Sequence, residues 1–365
     1  MSTSVELSPP LGYRRGLDGM RALAVLLVAG VHTHPRLVPG GSIGVDVFFV
    51  LSGFLITSLL VEERDRQGRI FFGRFYLRRA LRLLPALLAL IAVVLVWATF
   101  VASPSTRHNA YMEVLAALSY TRNLTIWANV PGTLLGHTWS LALEEQFYLV
   151  WPLVLTLCIR PRRGALRLAA VFVVLFVVFG VLRGCQFQGP SLLFVERPEA
   201  LLLGSALALL RRQHGHRWQG DIARSAAKAA VVMGAVGLVL LAAWNGADAM
   251  YSIGYSIAAL LSAALIFGLI VLDGRGPSRW FSARWAVRFG QISYGFYLWH
   301  MPVLRWVDDR LVDTTGLVRV PLGLGLALAA AVVSYRWIET PALRLKARFR
   351  APNPGEGPVG VGQTD

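Results

Sequence analysis

The sequence predicts an all-α polytopic membrane bundle of about ten transmembrane helices, with both termini in the cytoplasm. The first observation behind this is composition. The 365-residue chain is 55% hydrophobic with a mean hydropathy of +0.56, and only 15% of its residues are charged. A soluble domain carries about a quarter. The second is a series of apolar runs along nearly the whole length, each long enough to cross a bilayer. The third is the placement of Lys and Arg, which fall very unevenly on the two sets of connections between those runs.

The runs place ten spans at 18–34, 43–61, 81–102, 139–158, 166–183, 192–210, 228–245, 251–272, 290–307 and 319–338. Arg21 and His32 interrupt the first, and Pro35 ends it. The fourth opens on the polar run Thr138-Trp-Ser-Leu-Ala-Leu-Glu-Glu-Gln. One set of connections carries 27 Lys and Arg and the other 8, which assigns the richer set, with both termini, to the cytoplasm. The formal charge of +16 therefore reads as a topology signal. Its spread over six short segments excludes a nucleic-acid-binding patch. Residues 1–17 are expected to be a cytoplasmic segment leading into an uncleaved signal-anchor. Residues 18–345 form one transmembrane domain. The Pro- and Gly-rich 346–365 read as a disordered cytoplasmic tail. No separate soluble domain and no internal repeat is legible. Cys158 and Cys185 fall near opposite ends of neighbouring spans, so no disulfide is expected.

Ten residues separate Arg21 from His32. On a helix this is close to three turns, so both side chains share a face, roughly 16 Å apart along the axis. Two such groups on a membrane helix are costly and normally mark a functional path. In the predicted orientation, His32, Asp46, Glu144, Glu145 and His300 gather in the outer half. Arg78, Arg79 and Arg82 lie at the inner mouth of the third span beside Glu339, which ends the tenth. Arginine forks suit phosphate or carboxylate recognition. Each of these residues has a structural alternative. The arginines serve equally as a topology anchor against lipid headgroups, Asp46 as a helix cap, the Glu pair as helix-start charges, and His300 as a packed belt histidine. The His and acidic residues lack a metal-ligand spacing.

Taken in order, these segments resemble the membrane-bound acyltransferase-3 family. The resemblance rests on Arg15-Gly-Leu-Asp-Gly-Met-Arg-Ala-Leu-Ala-Val25 with the Arg21–His32 spacing, Gly44-Val-Asp-Val-Phe-Phe-Val-Leu-Ser-Gly-Phe-Leu-Ile56 and Phe75-Tyr-Leu-Arg-Arg-Ala-Leu-Arg-Leu-Leu-Pro85. It continues in His137-Thr-Trp-Ser-Leu-Ala-Leu-Glu-Glu-Gln-Phe-Tyr148, Ile292-Ser-Tyr-Gly-Phe-Tyr-Leu-Trp-His300 and Glu339-Thr-Pro341. It implies an enzyme of the bacterial plasma membrane that moves an acyl group, commonly acetyl, from cytosolic acyl-CoA to a carbohydrate hydroxyl. Acyl-CoA is then a co-substrate, with no bound cofactor and no metal. Some family members carry a fused esterase-like domain, which is not expected here.

On this reading Arg21, Arg78, Arg79 and Arg82 hold the CoA phosphates. His32 acts as general base or as transient acyl carrier, oriented by Glu144, Glu145 or Asp46. His137, Trp139, Ser140, Tyr148 and His300 are candidate acceptor-site residues, and Glu339 is structural. The acceptor is an envelope glycan or a glycosylated, macrolide-like product, and homo-oligomerisation is left open. The rival class is a proton-coupled transporter or flippase, which also keeps His, Glu and Arg at depth.

Overall fold

A computed structural model describes residues 9–125, 132–159, 164–184, 197–246, 249–311 and 315–347. Helices are the only regular elements among them. In chain order the main ones are α1 (Arg15–Thr33), α2 (Ile43–Gln67), α3 (Phe72–Phe100), α4 (Pro104–Leu118), α5 (Trp139–Cys158), α6 (Gly164–Gly184) and α7 (Glu199–His214). They continue with α8 (Asp221–Ala243), α9 (Tyr255–Leu272), α10 (Arg284–Gln291), α11 (Ser293–Arg310), α12 (Gly316–Ser334) and α13 (Thr340–Ala347).

Each predicted span overlaps a helix among the described residues, and residues 192–196 of the sixth lie outside them. Among the described residues, eight helical stretches are long and apolar enough to cross a membrane, and α7 and α11, at the sixth and ninth predicted spans, fall outside that set. The predicted 346–365 tail lies almost wholly outside the described residues, as do residues 1–8 and Cys185. Cys158 is a free, exposed thiol.

Two differences from the sequence reading bear on function. Helix α3 begins at Phe72 rather than 81 and runs for 29 residues. Arg78, Arg79 and Arg82 therefore sit six to ten residues inside it, roughly 9–15 Å along the axis rather than at its mouth. Their charge had shortened the apolar run without ending the helix. The second difference is α4, hidden in the 103–138 connection. Pro104 opens it, and the Ser103 hydroxyl accepts the Thr106 N–H at 3.4 Å, a serine cap followed by a first-turn proline. Its Glu113 is fully buried and accepts four hydrogen bonds. These come from the Thr133 N–H (2.7 Å) and hydroxyl (2.6 Å) and from the Leu134 (3.0 Å) and Leu135 (2.5 Å) N–H groups. One carboxylate thus fixes the segment that leads into His137.

Helix α2 packs along α7, α8 along α9, α11 along α12, and α1 against α2 and α10. The α2–α7 crossing is set by two glycines. A Cβ on Gly204 would run into the Val50 carbonyl, and one on Gly53 into the Leu201 carbonyl. Small residues permit this close backbone approach where lipid supplies no hydrophobic drive. Thr57 donates to Ser205 at 3.0 Å and receives the Trp151 indole N–H at 2.9 Å, tying α2, α7 and α5 together. Gly204→Ala is expected to cost about 1–3 kcal/mol through overpacking. Thermal unfolding in detergent reads this as a lowered midpoint, and an unchanged midpoint would refute the crossing.

Candidate active site

A cavity of about 1090 Å³ is lined by Arg14, Glu62, Glu63 and Arg66 at the arginine-rich end of the bundle. Its wall on α2 runs from Arg66 to Val45, about 30 Å along the axis, close to the thickness of a hydrocarbon core. Asp18, Arg21, Ser52, Arg78, Arg79, Arg82, Glu144 and Tyr148 line it, and Ser140 and Tyr297 line its far reach. The four predicted anion-binding arginines therefore share one cavity. Glu144 shares it too, rather than lying beside His32.

The four arginines differ in what holds them. Arg79 grips Glu145 through Nε at 2.8 and 2.9 Å and through its terminal nitrogen at 2.5 Å. Its guanidinium lies 3.3 Å above the centre of the Tyr148 ring. Arg78 faces Glu63 at 3.6 Å, and Arg21 bonds Asp18 at 3.1 Å. Arg82 makes no hydrogen bond or ion pair to a described residue and presents its guanidinium to the cavity. Glu145, read from the sequence as a partner of His32, is thus the clamp on Arg79. Burial explains the choice, because a carboxylate at that depth needs an opposite charge.

Beyond Tyr297 lies a histidine cluster built by three helical segments. His300 on α11 is fully buried, and its Nε2 is 3.3 Å from Nδ1 of His32 on α1. The His137 ring centre lies 5.2 Å from that of His300 and 5.3 Å from that of Tyr297. The Tyr297 hydroxyl donates to the His137 carbonyl at 2.6 Å and bonds the Ser140 hydroxyl at 2.7 Å. His32 itself is exposed at the opposite end from the arginine mouth. Two histidines and a tyrosine thus stand between the cavity and an accessible imidazole. Pro302, two residues past His300, cannot donate to the Leu298 carbonyl, so the helix ladder is already interrupted here. Among the described residues no group of His, Cys, Asp or Glu has the arrangement to hold a metal ion.

Asp46 does not reach this cluster. It is buried and paired at 2.5 Å with Arg197, whose guanidinium lies 3.9 Å above the Tyr255 ring and 5.3 Å from Trp139. Trp139 also meets Phe49 edge to face at 6.1 Å. Arg183 and Glu199 form a second buried pair beside it, with Arg183 donating to Ser256 at 2.5 Å. Of the candidate acceptor-site residues, His137, Ser140 and His300 come together around Tyr297. Tyr148 lies under Arg79, and Trp139 belongs to the ion-pair layer. Glu339 is buried, accepts from Ser334 at 3.1 Å and packs against Gly295 of α11. Sequence reasoning missed Tyr297, Glu113, Arg183, Arg197 and Glu199. The signal for Arg183 and Arg197 was that Asp46 in an apolar medium needs a cation, and few were available on its side.

The fold and site define a polytopic membrane protein with a deep arginine-lined cavity backing onto a buried histidine cluster. The chain belongs to the acyltransferase-3 family, whose model, described as an acyltransferase domain, matches residues 14–336. It is similar to the O-acetyltransferase OatA of Staphylococcus aureus strain NCTC 8325 / PS 47, with 32% identity over 351 residues. The match covers 90% of this chain and 57% of that protein. OatA of strain COL gives the same identity and coverage. The chain thus spans little more than half the length of these relatives. No solved structure matches it.

Proposed function

We propose that this chain is a multi-pass O-acyltransferase of the bacterial plasma membrane. It takes an acyl group, acetyl by analogy with the relatives' names, from cytosolic acyl-CoA and delivers it to a carbohydrate hydroxyl. The observation that carries this reading is the arginine-lined cavity ending behind the Tyr297–His300–His32 array. CoA is phosphate-bearing, and Arg82 offers an uncommitted guanidinium, with Arg21 and Arg78 beside it, to bind those phosphates. Arg79, clamped by Glu145, shapes that wall. In the transfer, His32 takes the proton from the acceptor hydroxyl. The hydroxyl oxygen forms the new bond to the acyl carbon, the C–S bond breaks, and the thiolate leaves with the electron pair to be protonated as CoA. The arginine mouth then faces the cytosol, consistent with the loop charges.

The test uses purified protein in liposomes with acetyl-labelled CoA and an oligosaccharide acceptor. Labelled ester and free CoA are expected in equal amounts. Movement of acceptor without thioester cleavage would instead identify a transporter. Arg82→Ala is expected to raise the donor KM about ten- to a hundredfold, the loss of one charge-assisted bond of about 1.5–3 kcal/mol. An unchanged donor KM would remove the phosphates from Arg82.

A further inference from the structure

We propose that His300 is a positioning residue that sets the tautomer of His32 and so selects Nε2 of His32 as the basic nitrogen. This rests on the proposed general-base role of His32. His300 Nδ1 lies 2.6 Å from the Tyr297 carbonyl oxygen. That oxygen has no hydrogen to give, so Nδ1 carries the proton and donates. In the neutral ring Nε2 of His300 is then a bare lone pair. It faces Nδ1 of His32 at 3.3 Å. Two lone pairs do not bond, so His32 Nδ1 carries a hydrogen and turns it toward that lone pair, with the Val28 backbone one turn earlier as the ring's other hydrogen-bond partner. The lone pair of His32 is left on Nε2, free to take a proton from an acceptor.

The carbonyl–His300–His32 chain does without charge what a carboxylate does for a catalytic histidine: it fixes the tautomer and the ring plane. The arrangement suits its surroundings, since a lone carboxylate at a fully buried position would need a counter-ion. His300 is also held rigidly. Its ring stacks on Phe296 at 10° with 6.2 Å between centres, and the His137 ring meets it edge-on. The same chain holds after proton transfer, because imidazolium His32 still donates from Nδ1 to the same lone pair.

Two substitutions and one spectroscopic readout test this. His300→Gln keeps an acceptor oxygen near the position of Nε2, whereas His300→Leu removes it at similar volume. The expected result is a ten- to hundredfold fall in kcat for His300→Leu with an unchanged donor KM, and near-normal kcat for His300→Gln. Independently of turnover, solid-state NMR of ¹⁵N-histidine-labelled protein reads the tautomer of His32, assigned by its loss in His32→Ala. Wild type and His300→Gln are expected to show Nδ1–H, and His300→Leu to lose it. A wild-type His32 protonated on Nε2 would overturn the proposal, as would wild-type kcat in His300→Leu. Equal loss in both variants with the Nδ1–H signal kept would give His300 a packing role and overturn it too. If the NMR result holds while His32→Ala retains transfer, the base assignment has failed and the tautomer assignment has not.

Discussion

His32→Ala is expected to leave a folded protein that binds donor normally and transfers acyl groups about 10²–10⁴-fold more slowly. The folding half of this expectation comes from exposure. His32 lies in the last turn of α1, is solvent-exposed, and its ring meets His300 and the Val28 backbone one turn earlier. Removing such a side chain costs about 0.5 kcal/mol or less. The chemical half comes from position. Among the three clustered histidines it alone is exposed, since His137 and His300 are buried. A general base must reach the hydroxyl it deprotonates, and only His32 offers that access. The proposed donor site is the arginine mouth, on the other side of Tyr297, so on that proposal KM for acyl-CoA should not move. Steady-state transfer in liposomes, with thermal unfolding as the folding control, measures both halves. Residual transfer within tenfold of wild type would exclude His32 as the base. Quenching the wild type in the absence of acceptor separates the two roles open to it. Label retained on the protein identifies an acyl carrier, and none retained leaves proton transfer alone.

The sequence exposed the bundle more fully than the site, for physical reasons. Apolar length and loop charge act locally, so every predicted span overlaps a helix among the described residues. The depth of a polar group is less local. Arg78, Arg79 and Arg82 interrupt hydropathy but not helicity, and α3 starts nine residues before the apolar run suggests. Helix α4 escaped because its polar first turn and apolar remainder resemble a loop in a hydropathy profile. The Arg21–His32 spacing was legible because one helix carries both. The contacts of His32 with His300, and of His300 with His137, link residues far apart in the chain and depend on helix packing that composition does not encode. Glu145 shows the limit most clearly. Its neighbour Glu144 turns to the cavity while Glu145 clamps Arg79, a distinction of about 100° around α5 that no charge count contains.

The buried pair Asp46–Arg197 carries the largest expected effect on stability. Asp46 opens α2, Arg197 precedes α7, and the Tyr255 ring lies 3.9 Å beneath the guanidinium at the start of α9. The pair Arg183–Glu199 adjoins it, with the Arg183 guanidinium 5.9 Å from the same ring. Four charges at one end of the bundle thus bind α2, α6, α7 and α9. Removing one partner strands the other in a low-dielectric site, so Asp46→Ala or Arg197→Ala should each cost about 3–5 kcal/mol. The double variant Asp46→Leu/Arg197→Met leaves no stranded charge and is expected to recover much of that loss. The double-mutant cycle by thermal unfolding reads the difference as coupling. Additive losses would mean that the two groups do not act as a pair. The same double variant addresses the other role that the sequence suggests for Asp46, orienting the imidazole. Asp46 is paired with Arg197, and His32 Nδ1 faces His300, so a folded double variant is expected to keep transfer within a few-fold of wild type. A loss as deep as that of His32→Ala, with the fold intact, would return Asp46 to the chemistry.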